Sequence, residues 1–175
     1  MRLKALCMTV SLMVAPGVAL AQGPLDSIKK AAGKEVGDAG KAALEKKINS
    51  KLKQDASKNQ CSFKSGTDVL EPGCDQKLKK LTSALVDAKK QLDSGGVKNY
   101  KFEVSGHTDS SGDAAKNKEL SEKRAAVIVK ELVARGIAKD EIIAVGRGSE
   151  QMLVKPDDTA AKKAKNRRYE IQVRL

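Results

Sequence analysis

The most constraining feature of this chain is a stretch in which a period-two pattern is followed by a helical one. Tyr100, Phe102 and Val104 alternate with polar side chains, which predicts a β-strand with one buried face. After a polar loop, apolar residues recur at helical spacing from about 113 to 135, and Gly136 is placed to end the helix. A strand that leads through a short loop into a helix predicts an α/β fold in which the two elements pack together.

Similar patterns on either side complete the predicted fold. A short strand begins at 61–63, a helix covers 78–92, a third strand covers 142–145, and a final strand covers 169–173 after a lysine-rich loop. The order β-α-β-α-β-loop-β favours a two-layer α/β (α+β) sandwich, with two helices on one face of a four-stranded mixed sheet. The residues expected in its core are Leu78, Leu81, Leu85, Ala88, Leu92, Ala125, Ile128, Val129, Leu132, Tyr169, Ile171 and Val173.

Residues 1–21 are typical of a cleaved secretory signal. A short positive start precedes an apolar run from 5 to 14, and Ala19 and Ala21 supply the small residues of a cleavage site. The apolar run is about half as long as a membrane-spanning helix requires. Cys7 lies inside this segment rather than at the cleavage site, which argues against a lipid-anchored cysteine. We therefore expect an exported protein.

The chain is strongly basic, with 34 Lys and Arg against 22 Asp and Glu and a formal net charge of +12. Such a surface favours anionic partners such as nucleic acid, anionic lipid or a cell-wall polymer. Export argues against nucleic acid. The few aromatic side chains on which bases could stack, two Phe and two Tyr with no Trp, argue against it as well.

Residues 22–58 differ in composition from the rest, being rich in Lys, Ala, Gly and Glu. Apolar residues at steps of three and four predict a thin amphipathic helix or helix pair, weakened by glycines. The stripe consists of Leu25, Ile28, Ala32, Val36 and Ala39, continued by Leu44, Ile48 and Leu52. One interpretation is a basic linker or spacer. The others are a docking segment for an anionic membrane surface or a partner helix, and a dimerisation element suggested by G-x-x-x-G spacing.

Two cysteines lie beyond the signal, Cys61 and Cys74, with 12 residues between them. In an oxidising compartment such a pair predicts a disulfide, worth about 3 kcal/mol for a loop of this size. A metal site is the alternative, but His107 is the only histidine and is distant in sequence. We expect the disulfide and no metal.

Three side chains near the end of the strand at 100–104 could bind a charged ligand. Asp109 lies just past the strand, and Asn117 and Arg124 are seven residues apart, so they share one side of the following helix. Arg124 could give a carboxylate two parallel hydrogen bonds, Asn117 offers a donor and an acceptor, and Asp109 could accept an ammonium. Together they would suit the zwitterionic end of a peptide. The alternative is an internal salt bridge between Asp109 and Arg124.

Catalysis is not indicated by the same region. His107 beside Asp109 could suggest acid–base chemistry, but no nucleophile or second base stands at a recognisable spacing. We expect His107 to make a hydrogen bond near the strand end. The sequence favours a binding protein without a cofactor over an enzyme.

Five short motifs follow one another between residues 106 and 168. They are Gly106-His107-Thr108-Asp109, Asn117-x-x-Leu120-Ser121-x-x-Arg124-Ala125, Gly136-Ile137, Gly146-x-Gly148 and Asn166-Arg167-Arg168. Together they resemble the OmpA-like peptidoglycan-binding domain of Gram-negative bacteria, and Phe63-x-x-x-Thr67-x-x-Leu70 is similar to that domain's opening segment. The resemblance covers residues 59–175 and implies a β-α-β-α-β-β domain.

The resemblance also implies non-covalent binding of peptidoglycan through the diaminopimelate residue of its stem peptide. Asp109 and Arg124 would hold the ammonium and carboxylate of that residue, and Arg167 would reach the same pocket from the last strand. The implied binding residues are Asp109, Ser111, Asn117, Arg124 and Arg167, with Gly106, His107 and Thr108 as the supporting loop. The implied location is the periplasm, on peptidoglycan or at the outer membrane.

Two departures from the family pattern bear on the ligand. Family members often have an acidic residue after the first-strand Phe, whereas this chain has Lys64, which would alter affinity or ligand preference. A Pro-Ile pair commonly follows the Gly-x-Gly stretch, whereas this chain has Gln151 and Met152, which would alter loop shape. The leading hypothesis is a periplasmic wall-binding protein. The alternative is a periplasmic scaffold whose main ligand is a protein docked through residues 22–58.

Overall fold

A sheet with helices packed on it forms the described part of the chain. The computed structural model describes residues 37–175. Its helices are α1 (Asp38–Lys58), α2 (Asp75–Ser94), α3 (Ala114–Ala134) and α4 (Ala160–Asn166), and its strands are β1 (Lys101–His107), β2 (Ile142–Gly148) and β3 (Tyr169–Arg174). A 3-10 turn, Lys139–Glu141, leads into β2. The mixed α and β architecture is as predicted.

The strand order is β2-β1-β3, with β1 parallel to β2 and antiparallel to β3. Phe102 of β1 is aligned with Ile142 on one side and with Val173 on the other, so apolar residues of all three strands share one face. Parallel neighbours need a crossover connection, which α3 provides as it packs on β1 and β2. The carboxyl end of β1 and the amino end of α3 therefore meet at one end of the sheet.

The core lies between this apolar face of the sheet and the apolar faces of the helices. The core residues expected from the sequence are buried, except Val129 and the strand residue Tyr100, which are partly buried. Glycines follow the helices where the pattern placed them, and Gly96 and Gly136 adopt positive φ angles of 71° and 101°. Glycine adopts this left-handed conformation most readily because it has no side chain, so both positions suit a helix end.

Helix α1 packs against β3 and α2. Ile48, Leu52 and Ala56 are buried in the common core. Its apolar face is therefore used inside the protein, and its exposed face carries Lys46, Lys47, Lys51, Lys53 and Lys58. The earlier part of the predicted stripe, residues 25–36, and the predicted signal peptide lie outside the described residues.

The predicted four-stranded sheet is wrong by one strand in the described part of the chain. Phe63 makes only an isolated antiparallel bridge to Leu70. The segment between them folds back on itself, since Lys64 N–H donates to the Val69 carbonyl at 2.9 Å. Gly66, with φ of 70°, lies at this reversal. The backbone of this segment is thus hydrogen-bonded within a loop and does not join the sheet.

Side-chain amides occupy the outer edge of β3, where a further strand could have paired. Asn49 of α1 binds the N–H and C=O of Val173 at 2.6 and 3.0 Å. Gln60 binds the N–H and C=O of Tyr169 at 3.1 and 2.7 Å. Each amide replaces both hydrogen bonds that a strand residue would make, so this edge is satisfied without a fourth strand.

The predicted lysine-rich loop before the last strand contains the short helix α4. Its first turn is capped by Thr159, whose hydroxyl accepts from Lys162 N–H at 3.3 Å. Its seven residues carry no apolar periodicity, so no pattern indicated a helix here. Within residues 37–175, no helix has an apolar stretch long enough to cross a bilayer.

Candidate ligand-binding pocket

A pocket of about 1050 Å³ opens where β1 ends. It is bordered by the β1–α3 loop, the first half of α3, the segment from α4 into β3, and the loop between α1 and α2. Every residue that the sequence assigned to the binding site lines it: Gly106, His107, Thr108, Asp109, Ser111, Asn117, Arg124 and Arg167. The volume is at the upper end of the range for small-ligand sites.

Close packing of α3 against β1 and β2 sets the geometry of the pocket. Gly106 lies against the backbone of Ser121, where any added side chain would overlap the Ser121 carbonyl. The Ser121 hydroxyl accepts from Gly148 N–H at 2.9 Å. Glycines on both strands thus allow the helix backbone to approach the sheet. This approach brings Asn117 and Arg124 to the end of β1.

Asp109 forms an ion pair with Arg167. Its Oδ2 lies 2.7 Å from Arg167 Nη1, and its Oδ1 accepts from Ser111 N–H at 2.9 Å. Burial alone would raise the pKa of the Asp109 carboxyl, but these hydrogen bonds outweigh it and hold the pKa below its ordinary value. The alternative of an Asp109–Arg124 salt bridge is wrong. Asp109 is thus a fixed carboxylate, held by Arg167, which lies 58 residues further along the chain.

Arg124 is held by the loop between α1 and α2. Its Nε donates to the Thr67 carbonyl at 2.8 Å, and its Nη2 lies 3.5 Å from the Lys64 carbonyl. The guanidinium also lies over the Phe63 ring, 5.1 Å from the ring centre, which is a cation–π contact. Burial, helped by the nearby Arg167, lowers the pKa of Arg124, although an arginine remains charged near neutral pH.

The part played by this loop was missed at the sequence level. The only signal in the sequence is the similarity of the segment from Phe63 to Leu70 to the opening segment of the OmpA-like domain, and the start of this segment is predicted as a strand. A side-chain acceptor can be recognised in a sequence by its residue type. Arg124 is held mainly by backbone carbonyls, which every residue has. No residue pattern could have indicated that contact.

Asn117 closes the loop that follows β1. Its Nδ2 donates to the Ser111 carbonyl at 2.8 Å and lies 3.5 Å from the Asp109 carbonyl. Asp113 caps α3 by accepting from Lys116 N–H at 2.9 Å. The donor of Asn117 is therefore used mainly to shape the loop, and its Oδ1 is the atom of this amide that can accept from a ligand.

A buried polar cluster lies beneath the same loop. Asp157 accepts from the backbone N–H of Ser110 at 2.9 Å and from the Ser110 hydroxyl. Asn166 is fully buried and donates to Asp157 Oδ2 at 3.1 Å and to the Val154 carbonyl at 3.0 Å. Chiefly the hydrogen bonds from Ser110 lower the pKa of Asp157 to about 2. The sequence identified Asn166 only as part of a motif and did not identify Asp157.

His107 is the last residue of β1 and is buried. Its Nε2 lies 3.3 Å from the Ser105 hydroxyl, which confirms the expected hydrogen bond near the strand end. Burial lowers the pKa of His107 to about 4, so the ring is neutral near pH 7. Its Nδ1 and the Thr108 hydroxyl are enclosed without a hydrogen-bond partner in the described part of the chain.

Cys61 and Cys74 are buried neighbours and are present as free thiols. The Cys61 sulfur lies 3.9 Å from the Cys74 carbonyl oxygen, and burial raises the pKa of the Cys61 thiol to about 12. The disulfide between these two cysteines stays a prediction. Residues 37–175 contain no cluster of three or more His, Cys, Asp and Glu side chains that could hold a metal ion.

Comparison with known sequences gives one matching family. The model of the OmpA family matches residues 62–167. Outer membrane porin F of Pseudomonas fluorescens is 46% identical over 71 residues, which are 41% of this chain and 22% of that protein. Peptidoglycan-binding protein ArfA of Mycobacterium bovis is 43% identical over 70 residues, 40% of this chain and 21% of that protein. The chain thus spans about a fifth of the length of these relatives.

Solved structures share the fold at lower identity. The peptidoglycan-associated lipoprotein of Burkholderia pseudomallei aligns with a TM-score of 0.55 and 20% identity, covering 69% of this chain and 93% of that one. The cell wall anchor of the T6SS from Pseudomonas aeruginosa aligns with a TM-score of 0.53 and 20% identity, covering 72% of this chain and 94% of that one. At this identity the likeness concerns the fold alone.

Proposed function

The chain belongs to the OmpA family, and from that premise we propose that it binds peptidoglycan non-covalently through the diaminopimelate residue of the stem peptide. Diaminopimelate ends in a carbon that bears both an ammonium and a carboxylate. A pocket that holds a fixed carboxylate and a fixed guanidinium matches that pair of charges. The name of one relative, peptidoglycan-binding protein ArfA, supports peptidoglycan as the polymer that is bound.

The observation that carries this proposal is the convergence of Asp109 and Arg124 on one pocket, each positioned by its own contacts. Asp109 keeps its negative charge because Arg167 and Ser111 hydrogen-bond to it. Its carboxylate accepts a hydrogen bond from the ligand ammonium. Arg124 keeps its Nη1 available, because its Nε and Nη2 make the contacts with the loop, and Nη1 donates to the ligand carboxylate. Preorganised charges bind well because little ordering remains to be done on association.

The remaining pocket residues complete the proposed contacts. Asn117 offers its Oδ1 to a ligand N–H while its Nδ2 holds the loop. Ser111 places its hydroxyl beside the Asp109 carboxylate, to which its backbone N–H is bound at 2.9 Å. Arg167 lies about half exposed beside Asp109 and reaches the ligand carboxylate that Arg124 binds.

Sedimentation with purified peptidoglycan sacculi tests the proposal. We expect Asp109→Asn and Arg124→Ala to weaken binding at least about tenfold, because each removes one partner of a hydrogen-bonded charge pair. The matched controls are Asp140→Asn and Lys130→Ala, which make similar changes at exposed positions away from the pocket. Circular dichroism would establish that all four variants are folded. Equal sedimentation of all the variants and the wild type would refute the assignment of the pocket.

We propose a location in the periplasm, attached to peptidoglycan there or at the inner side of the outer membrane. The predicted signal peptide and the names of relatives such as outer membrane porin F support this location. Fractionation of cells that produce the full chain, with and without lysozyme treatment, would test it. Recovery of the protein with the cytosol would contradict the export.

A second candidate function is that of a periplasmic scaffold that docks a protein or an anionic membrane surface through residues 22–58. The supporting observation is the exposed face of α1, which carries Lys46, Lys47 and Lys53. The buried apolar face of α1 is not available for insertion, so the docking would be electrostatic. Replacing these three lysines by Gln should abolish recovery of a partner or vesicles while sedimentation with sacculi persists. Unchanged recovery would leave α1 with a structural role only.

A further inference from the structure

The pocket carries more positive than negative charge. Its lining includes four cations, Arg124, Lys165, Arg167 and Arg168, against two carboxylates, Glu71 and Asp109. His107 also lines it but is buried and neutral near pH 7. A ligand with one ammonium and one carboxylate adds no net charge, so this excess would remain after the zwitterionic end has bound.

Most of these charges are already engaged within the protein. Arg167 is paired with Asp109 at 2.7 Å, and Arg168 is paired with Glu170 at 2.7 Å. Arg168 also donates to the Gln151 carbonyl at 3.1 Å, which engages its guanidinium further. These two arginines therefore have little capacity left for a further anion.

Lys165 differs from them. It is exposed on α4, directly before the Asn166-Arg167 segment, and its ammonium makes no hydrogen bond or ion pair within residues 37–175. Arg124, on the other side of the pocket lining, is fixed by the loop and by the Phe63 ring. Lys165 is thus the pocket cation with an unused charge and with freedom to move toward a ligand group.

We propose that Lys165 binds a second carboxylate of the stem peptide, the one on the glutamate that precedes diaminopimelate. This inference rests on the proposed function, because it presumes that the zwitterionic end lies between Asp109 and Arg124. That glutamate is linked through its side chain, so its α-carboxylate is free unless it is amidated. The pocket consequently distinguishes peptidoglycan with a free α-carboxylate from peptidoglycan in which this group is an amide.

The expected preference is small but measurable. Exposed ion pairs contribute little because water and salt screen them, which corresponds to about a two- to fivefold change in affinity. An amide in place of the carboxylate keeps the shape and loses the charge. The preference should therefore decrease as the salt concentration rises, since screening acts on this exposed pair more than on the half-buried Arg124.

Titration calorimetry with two synthetic tetrapeptides tests the inference. Both contain L-alanine, a γ-linked D-glutamyl residue, meso-diaminopimelate and D-alanine, and they differ only in whether the glutamyl α-carboxyl is free or amidated. We expect the wild type to bind the free acid about threefold more tightly, and Lys165→Gln to bind the two peptides equally. Lys130→Gln makes the same charge change on an exposed surface outside the pocket and should keep the wild-type preference.

The outcomes separate the two proposals. If neither peptide binds the wild type, the proposed function fails. If both bind and Lys165→Gln keeps the wild-type preference, the assignment of Lys165 is overturned while peptidoglycan binding stands. Equal binding of both peptides by the wild type would likewise overturn the inference about the second carboxylate.

Discussion

At the scale of single residues, the shape of the pocket depends on side chains that do not line it. Asp157 holds Ser110 by two hydrogen bonds, and Asn166 holds Asp157. Ser110 directly follows Asp109, so this cluster fixes the loop that carries the Asp109 carboxylate. A buried acid with several donors is held in its charged form, and its contribution to stability is tied to pH.

Asp157→Asn should destabilise the protein near neutral pH and much less in acid. The pKa of Asp157 is about 2 in the folded protein, below its ordinary value of 3.8. Its contribution is therefore fully present above about pH 4 and is lost as the pH falls through 2. Urea unfolding of wild type and Asp157→Asn at pH 7, 4 and 2.5 should give a free-energy difference that narrows at the lowest pH.

The control for this comparison is Asp158→Asn. Asp158 is exposed and, within residues 37–175, pairs only with Lys162 at 2.7 Å. The free energy of unfolding of Asp158→Asn should therefore differ little from that of the wild type at any of the three pH values. If the free energies of unfolding of the wild type and Asp157→Asn differ by the same amount from pH 7 to pH 2.5, the Asp157 charge does not stabilise the loop.

Predictability at this scale depends on where a residue acts. The sequence predicts that Asp109, Asn117 and Arg124 line one pocket, because they lie close together in sequence on a strand end and the helix that follows. Asp157 was not found, since it acts on Ser110 across 47 positions and stands in a loop without a pattern. The exchange of partners, Asp109 with Arg167 instead of Arg124, could not be predicted because it depends on distances between elements.

At the scale of secondary structure, the loop of residues 62–73 shows how far periodicity can be used. Helices α2 and α3 were predicted because long apolar stripes identify helices well. The short run at 61–63 resembles a strand in composition, but its partner strand edge is already filled by the amides of Asn49 and Gln60. A three-residue pattern cannot reveal whether an edge is free, so the fourth strand was predicted wrongly.

The predicted disulfide would close this same loop at its base. Cys61 and Cys74 flank the segment that supplies Phe63 and the carbonyls that hold Arg124. We expect a protein of residues 22–175 isolated from an oxidising compartment to resist alkylation under denaturing conditions until a reductant is added. Joining the thiols releases two electrons and two protons to a disulfide-containing oxidant. Mass spectrometry of the alkylated protein would count the free thiols.

Stability measurements would separate the covalent bond from packing. Oxidised protein should exceed the reduced wild type by about 3 kcal/mol in its free energy of unfolding. The Cys61→Ala, Cys74→Ala double variant should match the reduced wild type apart from a smaller loss of packing. Alkylation of both thiols without reductant would show that the bond is absent.

At the scale of the whole molecule, α1 bears on the expected division of the chain. The sequence placed a linker or docking segment before residue 59, because its composition is polar and its apolar stripe is thin. That thin stripe is nevertheless enough to bury Ile48, Leu52 and Ala56 against β3 and α2. Composition indicated how polar the segment is, but not that a narrow stripe would find a matching surface on the sheet.

Two truncations test whether α1 belongs to the folding unit. We expect a fragment of residues 37–175 to unfold cooperatively with substantial stability, whereas a fragment of residues 59–175 should be largely unfolded. Burial of Ile48 and Leu52 contributes about 1.5 to 3 kcal/mol each, and the Asn49 hydrogen bonds add about 1 kcal/mol. That sum is comparable to the total stability of a domain of this size. Thermal unfolding followed by circular dichroism would measure both fragments.

Point variants within α1 make the same test without removing the helix. Leu52→Ala should lower the free energy of unfolding by about 2 to 4 kcal/mol, because it leaves a cavity at a site that is 3% exposed. Lys53→Ala, at the neighbouring exposed position, should change it by less than about 0.5 kcal/mol. If residues 59–175 unfold at the same temperature as residues 37–175, α1 is a spacer that rests on the domain. If residues 59–175 unfold at a lower temperature, removing residues 22–58 would disrupt the fold. Docking would then have to be studied by substituting the surface lysines of α1.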